Sequence, residues 1–146
     1  MEYFALCRSL SSEERLYELE TACNAIKWDV IGPAEVRRKG KRLVQRKNGN
    51  YLYYFGETSG QKGVGFYING RMWGNVEEIK GVTERICLMR LRVEKKVKTV
   101  IIQVYTPTAA AEDEEKEEFY QKVQEVVHQE KEYYTVVMGT GMVRWE

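Results

Sequence analysis

The strongest constraint on the fold of this chain is a pair of apolar stretches in its second half. Over residues 98–105, Val100, Ile101, Ile102 and Val104 leave almost no polar face, as in a strand covered on both sides. Residues 85–93 alternate instead, with Cys87, Met89, Leu91 and Val93 on one face and Arg90 and Arg92 on the other. Two other segments carry helical spacing. Leu16, Leu19, Cys23 and Ile26 form one stripe, behind a start at Ser11 and Glu14 with the separation of a capping box. Phe119, Val123, Val126 and Val127 form the stripe of a second helix, predicted over 112–130, whose acidic opening suits the positive end of a helix dipole.

Shorter strands fill the rest. Residues 3–6 read as a buried strand, and residues 29–35 as a second one in which Pro33 is awkward, because proline cannot donate to a sheet ladder. Residues 43–45 and 51–55 flank a turn at Asn48 and Gly49, and residues 63–68 run to a second turn at Asn69 and Gly70. A last strand is predicted over 134–138. The order of strand, helix, several strands, helix and strand, without repeat or linker, predicts one compact α/β or α+β unit.

Composition narrows the function classes. The 146 residues suit one domain with a single modest core. Lys and Arg number 23 against 22 Asp and Glu, a formal charge of +1, so any positive patch for nucleic acid is local. A hydrophobic fraction of 43% with 12% aromatics argues against disorder. Cys7, Cys23 and Cys87 are odd in number and widely spaced, which suggests neither a disulfide framework nor a zinc site. No stretch approaches the ~18 apolar residues of a membrane span, and the first residues lack the form of a secretion signal. An intracellular protein, in nucleus or cytoplasm and without a membrane partner, is the expectation.

Four segments in order carry a family resemblance: Arg8-Ser9-Leu10, Ala34-Glu35-Val36-Arg37, Gly63-Val64-Gly65-Phe66, and the run from Ile101 through Tyr105 and Pro107 to Thr108 that leads into the acidic helix. Together they resemble the endonuclease domain of RTE/BovB-type non-LTR retrotransposons, found also in craniofacial development protein 2-like proteins. That domain belongs to the endonuclease/exonuclease/phosphatase family. The resemblance implies a four-layer α/β sandwich. It also implies that this chain, residues 1–146, is one partial domain: the N-terminal half, with a single mixed, mostly antiparallel sheet and two helices. If the partner sheet is missing, the strands at 85–93 and 98–105 should lie partly uncovered, which predicts marginal stability or self-association.

The resemblance also implies Mg²⁺-dependent hydrolysis of DNA phosphodiesters. That chemistry needs a metal to neutralise charge on the phosphate and a base to activate water. Glu35 matches the metal-ligand Glu, and Tyr105 matches a Tyr that contacts the phosphate. Without the resemblance, Glu35 reads as an exposed acid at a strand end and Tyr105 as a packed aromatic. Leu6 stands where the family has a metal-side Asn. In the family's Gly-Asp-Phe/Trp-Asn motif, Thr140 replaces the Asp and Met142 the Asn. A neutral hydroxyl is a poor base, and losing such a base typically costs ~10²–10⁴ in rate. His128 matches no catalytic His and reads as a surface residue.

Three functional expectations follow. The first is a degenerate endonuclease that no longer binds Mg²⁺ productively. The second is a repurposed protein-interaction module or weak DNA-binding module, with Arg37, Arg38 and Lys62, extended by Lys39, Lys41 and Arg42, contacting phosphates without sequence preference. The third is residual Mg²⁺-dependent cleavage. The tail at 139–146 carries its own hypothesis. One base deleted from a coding of Gly-Asp-Trp-Asn-Gly-Lys-Val-Gly reads as Gly-Thr-Gly-Met-Val-Arg-Trp followed by Asp or Glu, which matches the tail. Sequencing the transcript tests it: a one-base shift should restore a family-like reading past Gly139, and failure of every such shift rejects the frameshift.

Overall fold

The computed structural model describes residues 12–33, 36–57, 62–93, 97–131 and 133–139, together with the backbone of 141–143. The strand expected at 3–6 lies outside these residues. Helix α1 (Glu13–Cys23) is followed by β1 (Val30–Gly32), β2 (Gly40–Gln45), β3 (Tyr51–Gly56), β4 (Val64–Ile68) and a 3₁₀ turn (Gly70–Asn75). Then come β5 (Val76–Thr83), β6 (Ile86–Val93), β7 (Val97–Val104), helix α2 (Asp113–Gln129), β8 (Tyr134–Met138) and β9 (Gly141–Val143).

Among the described residues the strands form two sheets rather than the single sheet expected. One has five strands in the order β2-β3-β4-β1-β9, and the other has four in the order β5-β6-β7-β8. All described pairings are antiparallel except that of β7 with β8. The crossover through α2 produces this parallel pair, as a parallel connection requires.

The two sheets close face to face. Val30, Tyr53, Val64, Phe66 and Ile68 of the first sheet pack against Cys87, Met89, Leu91, Val93 and Ile101 of the second. On the outer face of the first sheet, Leu16, Leu19 and Cys23 of α1 cover Ile31, Leu52, Tyr54 and Tyr67. On the outer face of the second, Phe119 and Val126 of α2 cover Ile86, Leu88, Val100, Ile102 and Val104. The layers are therefore helix, sheet, sheet and helix, all four drawn from this chain. The α/β class expected is met, but the expectation of a single sheet with uncovered strands at 85–93 and 98–105 fails for a definite reason. Residues 86–93 and 97–104 have apolar side chains on both faces, one set meeting the partner sheet and the other meeting α2.

Local chemistry explains the boundaries. Ser12, one residue later than expected, caps α1 by accepting a hydrogen bond from the Arg15 amide at 3.2 Å. The third helical position is consequently Arg15, and Glu14 cannot close a capping box. The hairpin turn falls at Asn48 and Gly49 as expected, with Gly49 in the left-handed region and the Asn48 side chain accepting from the Asn50 amide at 3.0 Å. Pro33 lies just beyond the end of β1, so it removes no ladder bond and weakens nothing there. The guanidinium of Arg90 fastens α2 to the second sheet by gripping the buried carboxylate of Glu130, with Glu78 of β5 on its other side.

Gly32 closes β1 at a point where the two sheets approach closely. A Cβ there would sit 2.7 Å from Gln103 Cγ and 3.1 Å from Met138 Cε. Gln103 is fully buried, so its stem has little room to give. We predict that Gly32→Ala destabilises the fold by about 1–3 kcal/mol through overpacking. Urea unfolding of both proteins checks this, and an unchanged midpoint would contradict the close approach of the sheets.

Candidate functional site

One end of the sandwich collects the ends of many elements. In the first sheet, β1 and β3 finish there and β2 and β4 begin there, as their antiparallel pairing dictates. In the second sheet, β5, β7 and β8 finish at one end, beside the start of β6. Contacts between the sheets show that the two ends coincide: Gly32 meets Gln103 and Met138, and the Gly63 amide donates to the Glu84 carbonyl at 3.1 Å. Within the first sheet's end, the Val36 amide donates to the Gly63 carbonyl at 3.2 Å.

The expected site residues fall on this end to the extent that they are described. Leu6, Glu35 and Thr140 lie outside the described residues. Tyr105 directly follows β7. Its amide donates to the Arg85 carbonyl at 2.8 Å, and its own carbonyl accepts from Arg85 Nη1 at 3.0 Å. The Arg85 guanidinium lies 5.0 Å from the Tyr105 ring centroid and is held from the other side by Glu115 of α2 at 2.9 Å. The ring also packs against the inter-sheet core. Met142 lies on β9, where its backbone pairs with Ile31 of β1, one residue before Gly32. Tyr105 and Met142 are thus near the end of β1.

Arg37 and Lys62 are brought together by the backbone. Both adopt left-handed conformations, with φ of 59° and 50°, and the Arg37 amide donates to the Lys62 carbonyl at 2.7 Å. Such conformations cost a non-glycine residue about 1–3 kcal/mol each and collect at functional sites. The charges at this end are largely matched, however. Lys62 pairs with Glu84 at 3.2 Å, and Arg38 lies 3.6 Å from Glu13 and stacks over Tyr54. The Arg46 guanidinium, hydrogen-bonded to Glu13, is the main influence holding that carboxyl below its usual range, and Arg38 adds to it. Lys41 and Arg42 are exposed on β2, and Lys39 is exposed beside it. A groove of ≈ 380 Å³ between Lys62, Glu84 and Arg85 on one side and Glu115, Phe119 and Lys122 of α2 on the other carries charges of both signs.

Beneath this end lies a buried polar group that the sequence reading passed over. Gln103 pairs in register with Cys87, and its Oε1 accepts from the Cys87 thiol at 3.7 Å. Its Nε2 is buried and has no hydrogen-bond partner among the described residues. The Tyr53 hydroxyl, in the same inter-sheet core, likewise finds none there. Desolvation, with a smaller contribution from Cys87, pushes the Tyr53 hydroxyl pKa far above its ordinary value. Burial also pushes the Cys87 thiol up, so it stays protonated and chemically quiet. The available signal was Gln103 itself, the one amide inside an otherwise apolar run.

The donor set bears on magnesium. Among the described residues, the side chains near the meeting of β1, β7 and β8 include the Gln103 amide, the Met138 thioether and the Tyr105 phenol, with the Glu84 and Glu115 carboxylates beside Lys62 and Arg85 at the same end. A hard cation takes carboxylate and carbonyl oxygens with ordered water. Among those residues, no three His, Cys, Asp or Glu side chains gather as a metal-holding group. No described helix is long and apolar enough to cross a membrane. A scan against protein-family models finds no match to this chain, and a search of curated proteins finds no similar sequence.

Proposed function

We propose that this chain is a degenerate relative of the Mg²⁺-dependent endonucleases of the endonuclease/exonuclease/phosphatase family and does not hydrolyse phosphodiesters. The observation that carries the reading is the convergence of the ends of β1, β7 and β8. It brings Tyr105 and Met142 to the end of β1, a few residues before Glu35 in sequence. Four layers in the order helix, sheet, sheet, helix support it further. Against that frame, the residue types decide the chemistry. Leu6, Thr140 and Met142 stand where the family has an amide, a carboxylate and another amide. None of the three can replace the lost group as metal-side ligand, base or transition-state donor.

What remains is Glu35 as the single matched carboxylate and Tyr105, whose carbonyl and ring are both engaged by Arg85. One acid without a base partner does not align water against a phosphate. The reading as a DNA-binding module draws less support. The backbone bond between Arg37 and Lys62 does gather two cations, but Lys62 is paired with Glu84, and Arg38 beside them with Glu13.

Supercoiled plasmid incubated with the purified chain and Mg²⁺ tests the proposal. It predicts no nicking above the protein-free control. Metal-dependent nicking that disappears in Glu35→Ala would overturn it.

A further inference from the structure

Among the described residues the two sheets have four outer strands, and three of them are blunted against pairing with another strand. β2 carries Lys41 and Arg42, and β5 carries Glu77, Glu78 and Lys80 along with two register shifts in its pairing with β6. β9 is only three residues long. Charges, bulges and shortness are the usual protections of a sheet edge.

β8 has none of these protections. Tyr134-Thr135-Val136-Val137-Met138 contains no charge, proline or glycine, and all five residues pair with β7 in unbroken register. Among the described residues nothing pairs with its outer edge. Tyr134 is 73% exposed, Val137 48% and Val136 37%, on both faces of the strand, although β-branched and aromatic side chains favour a covered sheet. The unpaired amides and carbonyls of such an edge form a template for a further strand.

We propose that β8 is a homodimer interface, in which the β8 strands of two copies pair antiparallel about a two-fold axis through Val136 and join the two four-stranded sheets into one. The strand's own sequence selects a second copy as the occupant. About that axis Val136 meets Val136, Thr135 meets Val137 and Tyr134 meets Met138. Every opposed pair is β-branched or apolar, and no like charges face each other. The same operation on β2 would crowd two copies of Lys41 and Arg42 together, and the bulges of β5 would break its register. An isologous contact of this kind is closed, so association stops at the dimer.

Sedimentation velocity across micromolar to hundred-micromolar loading, combined with amide exchange at both extremes, tests the interface. The expected result is a concentration-dependent dimer, with protection rising at residues 134–138 and not at 40–45 or 76–83. Val136→Lys, an exposed change that sets like charges opposite each other on the axis, should weaken association by about tenfold or more while leaving thermal unfolding near that of the unaltered chain. A monomer throughout the range overturns the proposal. So does a Val136→Lys dimer as tight as the original, or a dimer without added protection in β8. The exchange measurement decides the matter even if the variant folds poorly.

Discussion

The packing of the two sheets against each other is the interaction on which the rest of the molecule depends. Aromatic and aliphatic side chains of β1, β3 and β4 meet those of β6 and β7 across a shared core, and the residues that do so are almost fully removed from water. Neither sheet could be stable with that face open. The outer faces are covered by one helix each, and the helices are amphipathic because each has only one face to bury. Register within the sheets then follows, since a slip of one residue would turn every buried side chain of β6 or β7 outward.

Closing the sheets also sets the chemistry of one end of the sandwich. The tight approach of Gly32 to Gln103 brings the end of β1 against β7 and β8. The paired left-handed residues Arg37 and Lys62 tie the neighbouring loops to each other through a backbone hydrogen bond. Salt bridges and the stacking of Arg85 on Tyr105 then use up most of the charge that the loops present. Among the described residues, the rim is thus tied together by backbone bonds, ion pairs and a cation stacked on a ring.

Much of the architecture was legible in the sequence, for physical reasons that can be named. The period of Leu16, Leu19 and Cys23, and that of Phe119 and Val126, gave both helices. Asn48 and Gly49 gave the hairpin, and the alternation over 85–93 gave the buried face of β6. The number of sheets was not legible, because periodicity tells which faces of a strand are apolar and not which partner covers them. β5 escaped notice because its charges and two bulges break the alternation that marks a strand. Pro33 looked like a defect only because the strand was expected to run to residue 35. Among the site residues, Tyr105 and the Arg37–Lys62 pair fall at one end of the sandwich. The tethering of Tyr105 by Arg85 involves residues 20 apart in sequence, which no local pattern reveals.

Methyl NOE spectroscopy tests the central claim, that two sheets of this chain close on each other, most directly. Cross-peaks should join the methyl groups of Val30, Val64 and Ile68 to those of Met89, Leu91 and Ile101. Methyls that report contacts only within their own sheet, together with rapid solvent access to Met89 and Ile101, would contradict the four-layer arrangement and everything placed upon it.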